Sequence, residues 1–291
     1  MELSLVEKAG VLVEALPYIQ KFRGDIVVVK LGGSAIEEKT GIDTVMKDIA
    51  FMACVGLRPI LVHGGGKAIT KKMQERGVAA TFVKGLRVTD AASIEVVEEV
   101  LNRQVNPELV KMLNDAGCTA RGIYGEDIVR VVKHTAKDET GATLDWGFVG
   151  TPVEVDDDPL LAYLNSQIVP VVTPLGRDEA GQIYNVNADD VASAIAQTLK
   201  ARKLVFMSDV PGLLHDPKDK TTLISTLKIS DVDVLAERGI ISGGMLPKVR
   251  GAVKAINAGV RKVHFINANQ PHSLLLELFT DKGVGTEIVK K

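Results

Sequence analysis

Three glycine-rich turns in the sequence stand close to lysine residues, a combination that suits the binding of anions. Two of them, Lys30-Leu31-Gly32-Gly33 and His63-Gly64-Gly65-Gly66, follow apolar runs, and the third, Gly243-Gly244, precedes Lys248. Glycine lets the backbone approach an anion closely, and a helix that begins at such a turn directs free N–H groups and the positive end of its dipole toward that anion. A tight turn without a ligand would explain one such junction, but repeated junctions favour a phosphate or carboxylate site.

These turns differ from the familiar nucleotide-binding loops. The pattern G-x-x-x-x-G-K-[ST] is absent, which argues against a P-loop enzyme. The pattern G-x-G-x-x-G is also absent, because Gly64-Gly65-Gly66 continues as Lys67-Ala68-Ile69, so a dinucleotide-dependent dehydrogenase loses its main support. The sequence also contains no serine nucleophile elbow and no H-E-x-x-H motif.

Three further segments place polar residues among apolar or small ones. Gly85-Leu86-Arg87 carries a guanidinium that can bind a carboxylate bidentately, although a structural ion pair is the simpler interpretation of that residue alone. Asn185-Val186-Asn187-Ala188-Asp189-Asp190 opens a helix, which Asn187 can cap, and Asp189 can hold a lysine or orient an attacking group. The alternative interpretation of this segment is structural: a helix cap followed by acidic residues in the first turn. Ser208-Asp209-Val210-Pro211-Gly212 suits the rim of a purine or ribose pocket.

The elements that must position these residues follow from the apolar patterning. Short runs rich in Val and Ile, typical of parallel strands buried on both faces, occupy residues 26–29, 60–62, 168–172, 204–207 and 263–266. Helical spacing of apolar residues alternates with them, at residues 43–56, 67–76, 188–201 and 246–258. This alternation predicts an α/β fold with an open, mainly parallel, doubly wound sheet between helices. Residues 120–156, with a polar turn at 139–141, and residues 175–186 predict small hairpins, and the second hairpin is a candidate domain junction.

The stretch before the first strand predicts an N-terminal helix. Leu3, Val6, Val13 and Leu16 follow a helical spacing, and Pro17 is expected to end or kink the helix. Two interpretations of its apolar face remain open. The helix packs on its own domain, or it forms an arm that reaches another subunit.

Composition narrows the class of protein. A length of 291 residues suits two fused domains or one large α/β domain. The formal net charge is −2, and the balance of 46% hydrophobic and 25% charged residues excludes wholesale disorder. We expect no nucleic-acid partner, because there is no large basic excess. Two cysteines are too few for a disulfide framework, and we find no secretory signal and no apolar run of about 18 residues. A cytoplasmic protein without a membrane partner is the expectation.

Six motifs, in order along the chain, resemble the amino acid kinase superfamily, and within it the enzymes that phosphorylate N-acetyl-L-glutamate. The resemblance spans residues 27–288 and includes every motif described above, together with Gly243-Gly244-Met245 and Lys248. Carbamate kinases, uridylate kinases and aspartokinases share parts of this glycine framework. The segments Gly85-Leu86-Arg87-Val88-Thr89 and Asn185-Val186-Asn187-Ala188-Asp189 favour the acetylglutamate branch.

The resemblance implies a role for each matching residue. Lys30 and Lys248 are expected to stabilise the transferring phosphoryl group, and Asp189 to organise these two lysines. The residues expected to hold N-acetyl-L-glutamate are Gly65, Gly66, Arg87 and Asn185, the last two at its α-carboxylate end. The residues expected to bind ATP are Gly32, Gly33, Ser208, Asp209, Gly243 and Gly244. Mg²⁺ would accompany ATP and be held mainly by the phosphates, so no residue is assigned as a metal ligand.

The implied reaction is ATP-dependent phosphorylation of the γ-carboxylate to give N-acetyl-L-glutamyl 5-phosphate, the second step of arginine biosynthesis. The resemblance also implies feedback inhibition by L-arginine and a homo-oligomer, a hexamer rather than a dimer, joined by an N-terminal arm at residues 1–24. Residues 277–286 are similar to the arginine site of such enzymes, to which we assign Tyr18, Glu277 and Gly285. The expected lobes are residues 25–176, for acetylglutamate binding and dimerisation, and residues 177–291, for ATP and arginine.

Two other functions compete with this one. The first is a kinase for another small carboxylate or for carbamate, which would use the same chemistry. The second is a non-catalytic sensor of amino acids or nucleotides that kept the fold. The presence of Lys30, Lys248 and Asp189 argues against a sensor, because such a protein has no use for groups that stabilise a transferring phosphoryl group.

Overall fold

An eight-stranded sheet forms the centre of the fold. The structure is a computed structural model, and it describes residues 4–32, 39–137, 141, 143–216, 218–281 and 283–291. The strands, in chain order, are β1 (Ile26–Leu31), β2 (Arg58–His63), β3 (Thr81–Val83), β4 (Leu86–Val88), β5 (Ala120–Ile123), β6 (Val129–Lys137), β7 (Thr143–Val155), β8 (Val169–Val172), β9 (Leu175–Arg177), β10 (Ile183–Val186), β11 (Lys203–Ser208), β12 (Thr226–Lys228), β13 (Lys262–Asn267) and β14 (Thr286–Val289).

Helices alternate with most of these strands. They are α1 (Leu5–Phe22), α2 (Lys39–Cys54), α3 (Gly66–Glu75), α4 (Ala91–Val100), α5 (Asn106–Asp115), α6 (Gly125–Ile128), α7 (Asp158–Asn165), α8 (Ala188–Thr198), α9 (Val232–Glu237), α10 (Met245–Asn257) and α11 (Ser273–Leu278). A π-helical turn, Leu101–Val105, joins α4 to α5, and two short 3₁₀ turns occupy Lys220–Thr222 and Ile229–Asp231. Among the described residues, no helix combines the length and the apolar character needed to cross a membrane.

The strand order of the sheet is β12-β14-β13-β11-β1-β2-β8-β5. All neighbouring pairs are parallel except β13 and β14. The prediction of an open, mainly parallel sheet between helices is confirmed. Each apolar run predicted as a strand lies in this sheet, as β1, β2, β8, β11 or β13.

Alternate side chains of the strands enter two different cores, one on each face of the sheet. In β1, Val27 and Val29 belong to one core and Val28 belongs to the other. Helices α2, α3, α4, α5 and α11 cover the first core, and α7, α8 and α10 cover the second. Because both faces are buried, a strand in this sheet reads as a continuous apolar run rather than as an alternating one.

Two hairpins form a small closed barrel beside the sheet, with the strand order β10-β7-β6-β9. The prediction for residues 175–186 is confirmed, because β9 and β10 pair antiparallel. The prediction for residues 120–156 is wrong at its start, since β5 pairs parallel with β8 in the main sheet and only β6 and β7 form a hairpin. Residues 138–140 and 142 of the expected polar turn lie outside the described residues.

The N-terminal helix α1 starts at a capping box, in which Ser4 and Glu7 satisfy each other's backbone N–H groups. It continues through Pro17 to Phe22, so of the two outcomes expected at Pro17, an end or a kink, the end of the helix is wrong. Tertiary packing explains this, because Tyr18, Ile19 and Phe22 after the proline pack on the first core.

The earlier turns of α1 lie outside the core. Val6 is 82% exposed and Val13 is 68% exposed, while Leu3 lies outside the described residues. Nothing in the described part of this chain covers these apolar side chains, so the helix packs on its own domain only through its last turns.

Candidate active site

The carboxyl ends of β1, β2 and β11 meet at one edge of the sheet, as parallel pairing requires. Within the register, Leu31 lies beside both His63 and Met207. The turns that follow are tied together by their backbones, since Gly64 N–H donates to Leu31 O (3.0 Å) and Gly32 N–H donates to Met207 O (3.1 Å). Two of the glycine turns predicted from the sequence are therefore neighbours.

Asp189 holds two lysines at this edge. Its Oδ1 lies 2.9 Å from the Nζ of Lys30, and its Oδ2 accepts a hydrogen bond of 2.8 Å from the Nζ of Lys248. Burial alone would raise the pKa of Asp189, but the charges and hydrogen bonds of the two lysines outweigh burial and hold that pKa below its usual value. The carboxylate is therefore ionised at neutral pH.

Three elements position this group. Lys30 is the fifth residue of β1, Asp189 lies in the first turn of α8, and Lys248 lies in the first turns of α10. Asn187 caps α8, because its side chain accepts a hydrogen bond from the backbone N–H of Asp189. Each lysine ammonium has three N–H donors, so each keeps donors for a second anion after pairing with Asp189.

A cavity of about 380 Å³ opens beside Lys30. Its lining includes the four residues predicted to hold acetylglutamate, which are Gly65, Gly66, Arg87 and Asn185. Helix α3 begins at Gly66, and no described side chain caps that helix end; the start of a helix is a favourable place for an anion. The two glycines differ in their surroundings: a Cβ on Gly65 would lie 2.6 Å from Leu101 Cδ2, whereas a Cβ on Gly66 would meet open space.

Arg87 is buried in the wall of this cavity, with 6% of its surface exposed. Its Nη2 donates to Gly66 O (2.8 Å) and to Thr70 Oγ1 (2.7 Å), and its guanidinium lies 4.7 Å from the centre of the Phe82 ring. No carboxylate in the described part of the chain pairs with it. Burial lowers the pKa of Arg87, yet arginine stays charged in proteins, so the cavity contains a cation whose solvation is incomplete. An anionic ligand would compensate for that cost.

Asn185 faces the same cavity from the end of β10. Its Nδ2 donates to Thr89 Oγ1, 3.3 Å away. Thr89 follows the strand of Arg87, and its backbone is hydrogen-bonded to β7 through Trp146 O and Phe148 N–H. The barrel and the β3–β4 hairpin thus fix Asn185 and Arg87 relative to each other.

The described residues predicted to bind ATP lie at the ends of β1 and β11 and at the start of α10. A Cβ on Gly32 would lie 3.7 Å from Lys30 Nζ and 3.9 Å from the Cα of Ser208, which ends β11. Gly243 has a positive φ of 54°, and Gly244 is the residue before α10, the helix of Lys248. A Cβ on either glycine would meet open space. Asp209 is exposed just after β11, and Gly33 lies outside the described residues.

A second polar cavity, of about 190 Å³, lies between the end of α1 and the C-terminal segment. Tyr18 and Glu277 both line it, and the Tyr18 hydroxyl donates to Asp281 Oδ1 (2.6 Å). Gly285 lies behind the wall, where its N–H and that of Val284 donate to Glu277 Oε2 (3.0 and 2.7 Å).

The Glu277 carboxylate is ionised in this cavity. Burial would raise the pKa of Glu277, but the hydrogen bonds from His264 and from the backbone outweigh burial and hold that pKa below its usual value. Lys203 lines the same cavity, and burial, with the charge of Lys262, lowers its pKa to about 8.

Sequence reasoning missed several residues around these two cavities. Phe82 lies under Arg87 because the two are paired across a tight hairpin, and the signal was a two-residue turn at Lys84-Gly85, both with positive φ. Lys203 and His264 are buried residues that line the second cavity. Lys203 stands immediately before the apolar run of β11, and His264 interrupts the apolar run of β13. A charged residue inside a run of buried strand residues is a signal for a polar site.

The chain is similar to several known proteins over its whole length. A model of the amino acid kinase family matches residues 25–267. The acetylglutamate kinase of Heliobacterium modesticaldum is 46% identical over 99% of this chain and 100% of its own length.

Solved structures of N-acetylglutamate synthase from Neisseria gonorrhoeae are also similar. The complex with coenzyme A and N-acetyl-glutamate has a TM-score of 0.85 at 27% identity, and the complex with coenzyme A and L-arginine has a TM-score of 0.82 at 25% identity; each covers 99% of this chain. The chain spans 64% and 66% of those two longer chains, just under two thirds. The family model over residues 25–267 and the full-length relative show that the chain belongs to the amino acid kinase family, within its acetylglutamate kinase branch.

Proposed function

We propose that the chain transfers the γ-phosphoryl group of ATP to the γ-carboxylate of N-acetyl-L-glutamate, giving N-acetyl-L-glutamyl 5-phosphate for arginine biosynthesis. The observation that carries this proposal is the pair of lysines on Asp189, at 2.9 and 2.8 Å, beside the cavity lined by Arg87. The cavity can bind a small anion, and the two lysines can stabilise the charge of a transferring phosphoryl group. The full-length similarity to acetylglutamate kinases supports the same substrate.

The α-carboxylate of the substrate binds to Arg87 and Asn185, and the N–H groups of Gly65 and Gly66 also hold the molecule. The guanidinium of Arg87 is already oriented by hydrogen bonds from Nη2 to Gly66 O and Thr70 Oγ1 and from Nη1 to Met73 Sδ, and its remaining N–H groups can bind the carboxylate. This preorganisation favours a planar carboxylate over other groups. The γ-carboxylate then points toward Lys30.

The phosphoryl transfer itself needs no general base, because a γ-carboxylate is ionised at neutral pH. The obstacle is the approach of an anion to a polyanion and the spread of charge over the phosphoryl oxygens. Lys30 and Lys248 offset that charge from two directions, and Asp189 keeps both ammonium groups in place before substrates bind. A preorganised donor of this kind typically contributes about 3–4 kcal/mol to the transition state.

ATP binds across Gly32, Gly33, Gly243 and Gly244, with its nucleoside near Ser208 and Asp209. Mg²⁺ fits this site as an ion held mainly by the phosphates, because both oxygens of Asp189 are already paired with lysines. The ion neutralises charge on the β- and γ-phosphates. Residues 25–176 then form the lobe that binds most of acetylglutamate, and residues 177–291 form the nucleotide lobe, which also contributes Asn185.

L-Arginine binds in the cavity lined by Tyr18 and Glu277 and inhibits the enzyme. The ionised Glu277 suits the guanidinium or the α-amino group of arginine. The exposed apolar side chains of α1 pack against a second subunit and join dimers into a hexamer. An isolated helix of this length is marginal in water, and its uncovered apolar face favours a partner.

A coupled ADP-release assay tests the proposed activity directly. Purified chain with Mg-ATP is expected to release ADP rapidly with N-acetyl-L-glutamate and slowly with glutamate, aspartate or carbamate. Release that is fastest with one of the other three acceptors would identify a different kinase, and no release with any of them would identify a sensor.

The first mutational prediction concerns Arg87. Arg87→Lys removes the bidentate fork and should raise the KM for acetylglutamate by about tenfold or more. The KM for ATP should stay within twofold, because the hydrogen bonds of Arg87 to Gly66 and Thr70, which are also lost, lie in the acetylglutamate cavity. Steady-state kinetics with each substrate varied in turn measure both constants. Arg58→Lys is the matched control, since Arg58 binds Asn165 at the opposite edge of the sheet. An unchanged KM for acetylglutamate in Arg87→Lys would remove Arg87 from the substrate site.

The second prediction concerns Lys248. Lys248→Ala should lower kcat by about a hundredfold or more with modest changes in KM, since the charge it offsets develops mainly in the transition state. Lys254→Ala, in the last turn of the same helix, should keep the wild-type kcat. Circular dichroism must show both variants folded. A loss confined to the KM for ATP would make Lys248 a ground-state ligand.

The third prediction concerns the arm. Deleting residues 1–20 should convert hexamers into dimers that still fold. It should also weaken arginine inhibition, because an effector acts only through its differential affinity for two arrangements of the enzyme, and the arm is expected to couple them. Deleting residues 1–12 retains Tyr18 and separates the loss of the arm from the loss of that contact, whereas Tyr18→Phe should leave the hexamer intact. Light scattering gives the mass, and activity against arginine concentration gives the inhibition. A full-length enzyme that is dimeric and indifferent to millimolar arginine would contradict this account.

A further inference from the structure

The turn that joins α4 to α5 has an unusual hydrogen-bond pattern. It is a π-helical turn, in which the backbone N–H of Asn106 donates to Leu101 O, five residues earlier. In an α-helix, residues five apart are rotated by about 140° from each other around the axis. The π-turn instead brings Leu101 and Asn106 to the same side, and such turns are frequent at functional sites.

Leu101 reaches the glycine turn that lines the substrate cavity. Its side chain is fully buried, and its Cδ2 lies 2.6 Å from the point where a Cβ on Gly65 would be. Leu101 therefore fills the space behind Gly65, and a side chain at position 65 would require Leu101 to move. This contact fixes the turn from its apolar side.

Asn106 reaches the same turn through a histidine. Its Nδ2 donates to Val171 O on β8 (2.9 Å) and lies 3.1 Å from Nε2 of His63. The other ring nitrogen of His63, Nδ1, lies 2.8 Å from Gly64 O. Asn106 is 2% exposed and His63 is 0% exposed, so neither side chain can exchange these partners for water.

The Asn106 amide, the His63 ring and the carbonyl oxygens of Gly64 and Val171 allow a single arrangement of hydrogens. A carbonyl oxygen only accepts, so Nδ1 of His63 carries the hydrogen that Gly64 O receives, and Nε2 presents a lone pair. The Asn106 amide supplies one hydrogen to that lone pair and the other to Val171 O. Burial lowers the pKa of His63 to about 4, which keeps the ring neutral at physiological pH and the arrangement intact.

We propose that Asn106 is a positioning residue for the carboxylate substrate, acting through His63 on the Gly64 carbonyl and so on the N–H groups of Gly65 and Gly66. The inference rests on the proposed function for its substrate, but the hydrogen-bonded chain itself does not depend on that function. Asn106 is absent from the lining of the cavity, and its described hydrogen bonds involve neither Lys30 nor Lys248, so it acts on substrate binding rather than on the phosphoryl group.

The kinetic test compares two asparagines of the same helix. Asn106→Ala removes both hydrogens and should raise the KM for acetylglutamate by about tenfold, with the KM for ATP within twofold. Asn114→Ala is the matched control: Asn114 also bonds to the backbone, at Val110 and Ala120, but does not contact the glycine turn. If Asn106→Ala does not fold, Asn106→Ser, which keeps one donor, carries the comparison. Equal KM values for acetylglutamate in the folded Asn106 and Asn114 variants would overturn the proposal.

A spectroscopic test reports on His63 without any substrate. In the ¹⁵N spectrum of histidine-labelled protein, assigned with His63→Gln, His63 should be neutral with its hydrogen on Nδ1 and should not titrate between pH 5.5 and 8. In Asn106→Asp a carboxylate faces Nε2 and favours the protonated ring, so His63 should be charged at pH 6. An unchanged His63 signal in Asn106→Asp would overturn the network. A wild-type chain that shows the network but releases no ADP with acetylglutamate would instead overturn the proposed function.

Discussion

One carboxylate holds two ammonium groups in this protein, and the rest of the site is arranged around that contact. Lys30 and Lys248 both contact Asp189, and without its charge the two ammonium groups would repel each other. Their placement requires β1, α8 and α10 to converge, although the three elements are far apart in sequence. The parallel sheet meets this requirement, because it gathers the ends of distant strands at one edge and starts helices there.

Features suited to the two substrates lie at this same edge of the sheet. Two features near the end of β2 suit a small carboxylate. Arg87 is buried and has no carboxylate partner among the described residues, and the start of α3 has no side-chain cap. At the start of α10, a Cβ on Gly243 or Gly244 would meet open space, which suits the close approach of a polyphosphate to the backbone. In the proposed function, the attacking carboxylate and the γ-phosphate meet beside Lys30 and Lys248. Phosphoryl transfer by positioning and electrostatics needs this geometry and needs no side chain that takes up a proton.

The sequence predicted those parts of the structure that depend on local patterns. Buried strands such as β1 read as apolar runs, and the glycine turns, Arg87 and Asp189 were evident from residue type and spacing. Tertiary contacts decided the remaining features: β5 joined the main sheet because β8 was available as a partner, and α1 passed Pro17 because the residues after it pack on the core. The bonds from Asn106 to His63 and to Val171 connect residues more than forty positions apart, and no local pattern encodes such contacts.

The most direct test of this account is the turnover of Asp189→Asn compared with Asp190→Asn, its neighbour on the same helix. The first variant removes the charge that holds the two lysines together, and the second removes an acid that does not pair with them. We expect kcat with N-acetyl-L-glutamate and ATP to fall by about a hundredfold or more in Asp189→Asn and to stay near the wild-type value in Asp190→Asn, with both proteins folded. A folded Asp189→Asn enzyme with near wild-type kcat would contradict the central role given to the Lys30, Asp189 and Lys248 group.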